Sequence, residues 1–320
     1  MPAPDTSTGA GGAPDPARPP VIHLGPDDRS DLREAIEAGG GQLGPLEQAA
    51  GLVWLGHDPD ALPELPESVR WIQLSSAGVE QWVRAGTASG ARTVTSATGA
   101  YGRPVAEHAL ALMLAADKGL VAFARARDWD GEGRAETRAL EGATVAIVGA
   151  GGIGRALIGL LAPFGAEVLA VTRRGHEVPG AARTFAADRL EEVWPLAHHV
   201  VIAAPATGGT RHLVGARELA AMREDAWLVN VARGSLVDTD ALVSALREHS
   251  IAGAALDVTH PEPLPGSHPL WELPNALITP HVATPPEAER RHFAERVRLN
   301  VRRFAAGEPL EGVVDPEGGY

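Results

Sequence analysis

With 320 residues the chain has length for about two domains, each large enough to bury its own core. It contains no cysteine, which excludes disulfides, thiolate metal sites, iron–sulfur clusters and cysteine nucleophiles, and leaves any redox chemistry to a borrowed cofactor. A formal net charge of −13 with no basic run longer than two residues opposes nucleic-acid binding, and the single lysine, Lys118 in Asp117-Lys118-Gly119, excludes a GxxxxGK[ST] phosphate loop.

In chain order, Met1–Pro20 is rich in Ala, Gly, Pro, Ser and Thr without an apolar signal core, and predicts a flexible tail outside the fold. Short β-rich runs at Val21–Leu24, Leu52–Leu55 and Trp71–Leu74, with a helical run at Asp27–Ala38, predict parallel strands joined by crossover helices. A long amphipathic stretch, Val105–Arg127, with Pro104 at a first helical position, predicts one helix partitioning two domains. The polar segment Asp128–Arg138 follows. A second alternating series has strands at Thr144–Val148, Val168–Val171, Val200–Ala203, Leu228–Val231, Ala254–Leu256 and Leu277–Thr279, enough for a complete doubly wound sheet. The amphipathic helix Glu287–Ala305, beyond Pro285-Pro286, has no strand partner left in that series and is expected back on the first domain. Apolar stretches such as Ala109–Ala116 and Val200–Pro205 fall far short of the ~20 residues that span a membrane, so no membrane partner and a cytoplasmic location are expected.

Gly149-Ala150-Gly151-Gly152-Ile153-Gly154 matches GxGxxG, a pattern that 37 glycines in 320 residues produce by chance about half a time. Gly39-Gly40-Gly41-Gln42-Leu43-Gly44 matches as well, but it follows the helical run Asp31–Ala38 and reads as a helix end with a loop. The copy at Gly149 follows the strand Thr144–Val148 and runs into the helical pattern Ile153–Leu161. In that setting helix amides and the helix dipole receive a pyrophosphate, so this copy predicts dinucleotide binding. An acid near the end of the next strand would select NAD through its ribose hydroxyls. Here that strand ends in Thr172-Arg173-Arg174, and guanidinium suits a 2′-phosphate, so NADP(H) is favoured with NAD(H) possible.

Reducing a 2-oxo acid needs a cation for the carboxylate and carbonyl, a proton donor, and a group that orients the donor. Arg233 in Asn230-Val231-Ala232-Arg233-Gly234, Glu262 in Asp257-Val258-Thr259-His260-Pro261-Glu262-Pro263 and His281 in Thr279-Pro280-His281-Val282-Ala283 each follow a predicted strand and offer those three types. A carboxylate beside an imidazole favours its protonated form, the form needed for carbonyl reduction.

These blocks, together with Ser75-Ser76-Ala77-Gly78-Val79, Pro104-Val105-Ala106-Glu107-His108 and Pro269-Leu270-Trp271, resemble the D-isomer-specific 2-hydroxyacid dehydrogenases, in the glyoxylate/hydroxypyruvate reductase-like branch. The resemblance implies an α/β fold of two doubly wound parallel-sheet domains, a Rossmann cofactor domain (104–284) inserted in a flavodoxin-like substrate domain (21–103 and 285–320), and a homodimer. It implies that Arg233 binds the substrate carboxylate and carbonyl, His281 is the acid/base and Glu262 bonds the histidine. Ser76, Ala77 and Gly78 would meet the substrate carboxylate, with Tyr101 and Trp54 as candidate pocket walls. Around the cofactor it places Gly149, Gly151, Gly152, Ile153, Gly154, Thr172, Arg173, Arg174, Pro205, Thr210, Val231, Ala232, Asp257 and Ala283, with Asp257 beside the carboxamide. Glu262 stands where formate dehydrogenases carry glutamine, and the apolar and acidic Trp54-Leu55-Gly56-His57-Asp58 disfavours a phosphorylated acid. The expected activity is reduction of a small 2-oxo acid, glyoxylate or hydroxypyruvate favoured. The alternatives are a phosphoglycerate dehydrogenase-like enzyme or a cofactor-sensing, corepressor-like binding protein.

Overall fold

The computed structural model describes residues 18–316, apart from 128 and 130–136. The predicted tail up to residue 17 and most of the polar segment 128–138 therefore lie outside the described residues. Two all-parallel sheets account for the strands.

The first sheet is built by β1 (Val21–Gly25), α1 (Ser30–Ala38), β2 (Gln42–Leu43), β3 (Gly51–Trp54), β4 (Trp71–Leu74), α2 (Glu80–Arg84) and β5 (Thr93–Thr95). Its strand order is β2-β1-β3-β4-β5, the flavodoxin-like order. β3 and β4 are central and buried throughout, which is why they read as continuous apolar runs. α1 begins at Ser30, later than the expected Asp27, with Arg29 as its extended N-cap.

α3 (Gly102–Asp117) and α4 (Leu120–Arg125) replace the single helix expected over Val105–Arg127. Gly119 at φ +58 breaks the run, because the left-handed conformation that glycine tolerates ends α3 and reorients the chain. Pro104 lies inside the first turn, where its missing N–H has no intrahelical acceptor to lose.

The second sheet takes β6 (Thr144–Val148), α5 (Gly152–Leu161), β7 (Glu167–Thr172), β8 (Arg183–Ala186), β9 (His199–Ile202), α6 (Ala216–Ala221), β10 (Trp227–Asn230), α7 (Thr239–Arg247), β11 (Gly253–Leu256) and β12 (Ala276–Ile278). Its order, β12-β11-β10-β9-β6-β7-β8, reverses direction between β6 and β9, and the carboxyl ends of those strands are where open α/β sheets bind ligands. One face is covered by α6 and α7 residues such as Leu219, Leu242 and Leu246, the other by α3 and α5 residues such as Ala109, Met113, Leu157 and Leu161.

The last helix, α8 (Pro286–Ala306), returns to the first sheet, where Phe293, Val297 and Val301 pack with Ile22, Leu32 and Ile36. A β-carbon on Gly39 would stand 2.7 Å from the Arg298 carbonyl, and one on Gly41 would stand 2.8 Å from Val301 Cγ1. The first glycine hexad therefore serves the seating of α8. Its Gln42-Leu43 is an edge strand, β2, where a loop was expected.

Candidate active site

β10 ends at the fully buried Asn230, whose amide donates to the Arg233 carbonyl (2.9 Å) and whose Oδ1 accepts the Ala232 N–H (3.1 Å). That pinned turn presents Arg233 at the carboxyl edge of the second sheet. Its Nη1 donates to the Ala232 carbonyl at 2.7 Å, and its Nε lies 3.3 Å from Glu80 Oε1, on the first residue of α2. A β-carbon on Gly78 would collide with Nη2, so only glycine lets the guanidinium lie against this backbone. The carboxyl ends of β4 and β10 thus meet through Arg233.

His281 follows β12 with φ +53, an uncommon conformation for a residue carrying a β-carbon and one that clusters at functional sites. Its amide donates to the carbonyls of Asp257 (2.8 Å) and Thr279 (3.0 Å), which fixes the turn. The ring Nδ1 is 2.7 Å from Glu262 Oε1, and both side chains are about half exposed, 50% and 42%. With Nδ1 held by the carboxylate, Nε2 is the nitrogen left for exchange with a reacting group.

Asp257, expected beside the carboxamide, lies under the His281 turn with both oxygens engaged. Oδ1 accepts from the Thr279 hydroxyl (2.6 Å) and the Val282 amide (3.0 Å), and Oδ2 accepts from the Ala283 amide (3.1 Å). Burial pushes its pKa up, but hydrogen bonds from His108, Thr279 and the Val282 amide outweigh that and hold it at about 2.

Sequence reasoning missed two members of this cluster. His108 Nε2 is 3.0 Å from Thr279 Oγ1 and 3.2 Å from Asp257 Oδ1. Its spacing from the buried Val105 and Leu112 (i+3, i−4) was the available signal, since it puts the ring on the inward face of α3. Glu80 directly follows the Ser76–Val79 turn, and only the three-dimensional structure pairs it with Arg233.

The pocket-wall residues divide. Trp54 is 5% exposed and belongs to the core beneath β3, so the wall role expected for it does not fit. Tyr101 caps the start of α3 and donates its hydroxyl to the Ser75 carbonyl at 2.9 Å, and burial pushes the phenol well above its ordinary range. Ala77 accepts from the Thr98 hydroxyl (2.8 Å), which steadies the Ser76–Gly78 turn, and the Ser76 hydroxyl is buried with no partner among the described residues.

The glycine hexad after β6 fits a dinucleotide. Gly149 has φ +101, and a β-carbon there would stand 2.5 Å from the Ala204 nitrogen, while one on Gly154 would stand 2.6 Å from the Gly149 carbonyl. These two close the strand, loop and helix together. α5 starts at Gly152 with Ile153 in its first turn, and the N-cap Gly151 supplies no side chain, so the amides face outward for an anion. Nothing stands within 4 Å of a β-carbon at Gly151, which leaves the approach open. At the end of β7 the Thr172 hydroxyl is buried without a partner among the described residues; Arg173 and Arg174 follow, exposed. Beyond β9, Thr210 donates to the Pro205 carbonyl (2.8 Å) and closes the facing turn. Val231, Ala232 and Ala283 are buried in the cores that support these loops.

The model of the family described as "D-isomer specific 2-hydroxyacid dehydrogenase, NAD binding domain" matches residues 107–283. The chain belongs to the D-isomer-specific 2-hydroxyacid dehydrogenase family. It is an NAD(P)-dependent oxidoreductase of that family, on two parallel-sheet α/β domains. It is 40% identical over 288 residues to an uncharacterised protein from the proB 3′ region of Corynebacterium melassecola, covering 89% of this chain and 95% of that one. A glyoxylate reductase of Thermococcus gammatolerans is 35% identical over 235 residues, 70% of each chain. The crystal structure of a D-isomer-specific 2-hydroxyacid dehydrogenase from Xanthobacter autotrophicus Py2, in complex with NADPH and MES, superposes with a TM-score of 0.79 at 28% identity, covering 94% of this chain and 100% of that one. Among the described residues no helix is long and apolar enough to cross a membrane, and no group of three or more His, Cys, Asp or Glu side chains could hold a metal ion.

Proposed function

We propose that the chain reduces a small unphosphorylated 2-oxo acid, glyoxylate or hydroxypyruvate, to the D-2-hydroxy acid, with NADPH favoured over NADH. The observation that carries this reading is the 2.7 Å His281–Glu262 pair on the same carboxyl edge that presents Arg233. In this reading Arg233 holds the substrate carboxylate and draws density from the carbonyl, and the Ser76–Gly78 backbone approaches from the other side. Glu262 orients the imidazole through Nδ1, and His281 delivers the Nε2 proton to the carbonyl oxygen, taking a proton back from solvent. A bound nicotinamide supplies the hydride to the carbonyl carbon. Asp257 and His108 position the His281 turn.

NADPH is favoured because Arg173 and Arg174 stand where an acid would repel a 2′-phosphate, and the Xanthobacter relative was crystallised with NADPH. The reading includes a substrate domain of residues 21–103 and 285–320 around a cofactor domain of 104–284. It also includes a cytoplasmic homodimer, in which the exposed Leu120 and Phe123 of α4 would be covered by the second copy. The test is nicotinamide oxidation followed by absorbance, NADPH against NADH, with glyoxylate, hydroxypyruvate, pyruvate and a bulkier 2-oxo acid. The expected result is turnover of the small acids with NADPH at least about tenfold more efficient, the range open to charge-assisted bonds at the phosphate. Equal efficiency with NADH removes the cofactor assignment, and dinucleotide binding without turnover moves the reading to a sensor.

A further inference from the structure

Of the three Arg233 side-chain nitrogens, one is hydrogen-bonded and a second lies in an ion-pair contact. Nη1 donates to the Ala232 carbonyl at 2.7 Å, and Nε faces Glu80 Oε1 at 3.3 Å. The other carboxylate oxygen lies on the same side: a β-carbon on Gly78 would stand 2.7 Å from Glu80 Oε2 and would collide with Arg233 Nη2. Glu80 therefore faces the Nε/Nη2 side of the guanidinium through a single 3.3 Å ion-pair contact, the side on which a substrate carboxylate could form two parallel bonds. It does so from the turn that also carries Ser76, Ala77 and Gly78. A carboxylate of this chain stands where the substrate carboxylate is expected.

We propose that Glu80 is a specificity-determining residue: an internal competitor that holds Arg233 until a substrate carboxylate displaces it, and that then lies beside the pocket as a negative charge. The proposal rests on the functional reading above. Both side chains are 36% exposed, so the pair is weak enough to be exchanged, and a single-carboxylate acid replaces one anion on Arg233 with another. An acid with a second negative charge meets the displaced Glu80 without a second cation from Arg233. The site therefore selects 2-oxo monoanions and rejects dicarboxylic or phosphorylated 2-oxo acids, a selection made by repulsion.

The experiment compares the wild-type chain with Glu80→Gln and Glu80→Asp, using glyoxylate and pyruvate as monoanions and oxaloacetate and 2-oxoglutarate as dianions. Calorimetric binding of oxamate to each protein in the presence of NADP⁺ reads the competition without turnover. Glu80→Gln should lower KM for the monoanions by about two- to fivefold at unchanged kcat, the range open to a half-exposed ion pair. It should raise the relative kcat/KM of the dianions by about tenfold, as expected when a nearby like charge is removed. Glu80→Asp, whose shorter side chain retreats from Arg233, should show a smaller fall in KM while keeping the discrimination against dianions. Oxamate should bind more tightly to Glu80→Gln by the same factor as KM falls. A fall in kcat, a rise in KM, or unchanged values for both substrates and oxamate overturns the proposal and makes Glu80 an orienting or incidental partner of Arg233. Failure of the functional reading looks different: the wild type itself turns over no 2-oxo acid, and the oxamate arm alone then decides whether Glu80 competes for Arg233.

Discussion

Two imidazole–carboxylate pairs occupy opposite ends of the second sheet. His281 and Glu262 meet at 2.7 Å on the carboxyl edge with about half of each side chain exposed, whereas His199 and Asp117 meet at 2.9 Å on the amino edge with 2% of each exposed. The chemistry of the partners is nearly the same, and the surroundings divide their roles. The buried pair ties the last residue of α3 to the first of β9, and its outer atoms, His199 Nδ1 and Asp117 Oδ2, find no partner among the described residues. The exposed pair sits on a turn that bends a histidine into positive φ and leaves half of its side chain exposed. One pair fastens a helix; the other is the one that the proposed reaction would use to exchange a proton.

α3 links the two ends. His108 and Asp117 are nine residues apart, about 13 Å along a helix, which is close to the length of the four-residue strands beneath them. The helix therefore touches Asp257 and Thr279 near the His281 turn through His108 and anchors to β9 through Asp117.

The comparison breaks most sharply at His281. His281→Gln should lower kcat by about 10²–10⁴-fold, the usual contribution of a positioned proton donor, while dinucleotide affinity and melting temperature stay near wild type. Steady-state rates, fluorescence titration of the cofactor and a thermal melt check this together. A variant that keeps full turnover at neutral pH removes His281 from the chemistry. At the other pair the two readouts should exchange places. Asp117→Ala strands His199 in the interior without its partner and should cost about 3 kcal/mol in chemical denaturation, with kcat changed only severalfold. A large loss of kcat in a variant as stable as wild type would give the buried pair a role beyond fastening.

Much of the fold was legible in the sequence, the buried His199–Asp117 pair was not, and the limits are physical. Central strands such as β3, β6, β9 and β10 are buried on both faces and read as apolar runs, whereas the strands that escaped notice, β2, β5 and β8, are all edge strands. There one side lacks a neighbour, and short polar segments such as Thr93–Thr95 and Arg183–Ala186 suffice. The two glycine hexads were separable because a strand precedes one and a helix the other. The break between α3 and α4 was missed because amphipathic periodicity continues through Lys118-Gly119 while the backbone does not. At the site, Arg233, Glu262 and His281 each follow a strand end, and it was their combination that the sequence made legible. The pairings of Glu80 and His108 could not be read, because their partners lie 153 and 149 residues away and are brought near only by the packing of the two sheets in the first case and of α3 on the second sheet in the other.

Asp257 offers the finest test of the contrast, because it is a buried carboxylate serving the exposed pair. Its folded pKa of about 2 lies below the ordinary 3.8, so the ionised form is the one the fold stabilises. That contribution is fully present above about pH 5, where the unfolded chain is ionised too, and is lost as pH falls through 2; the shift is worth about 2 kcal/mol. Other paired carboxylates, among them Asp31 and Asp225, also weaken the fold in acid, so the informative quantity is the stability difference between wild type and Asp257→Asn. Urea denaturation from pH 6 downward should show that difference largest near neutrality and shrinking by about 2 kcal/mol toward pH 2. A difference that does not change with pH would mean that Asp257 holds the His281 turn by shape and hydrogen-bond count alone, with no contribution from its charge.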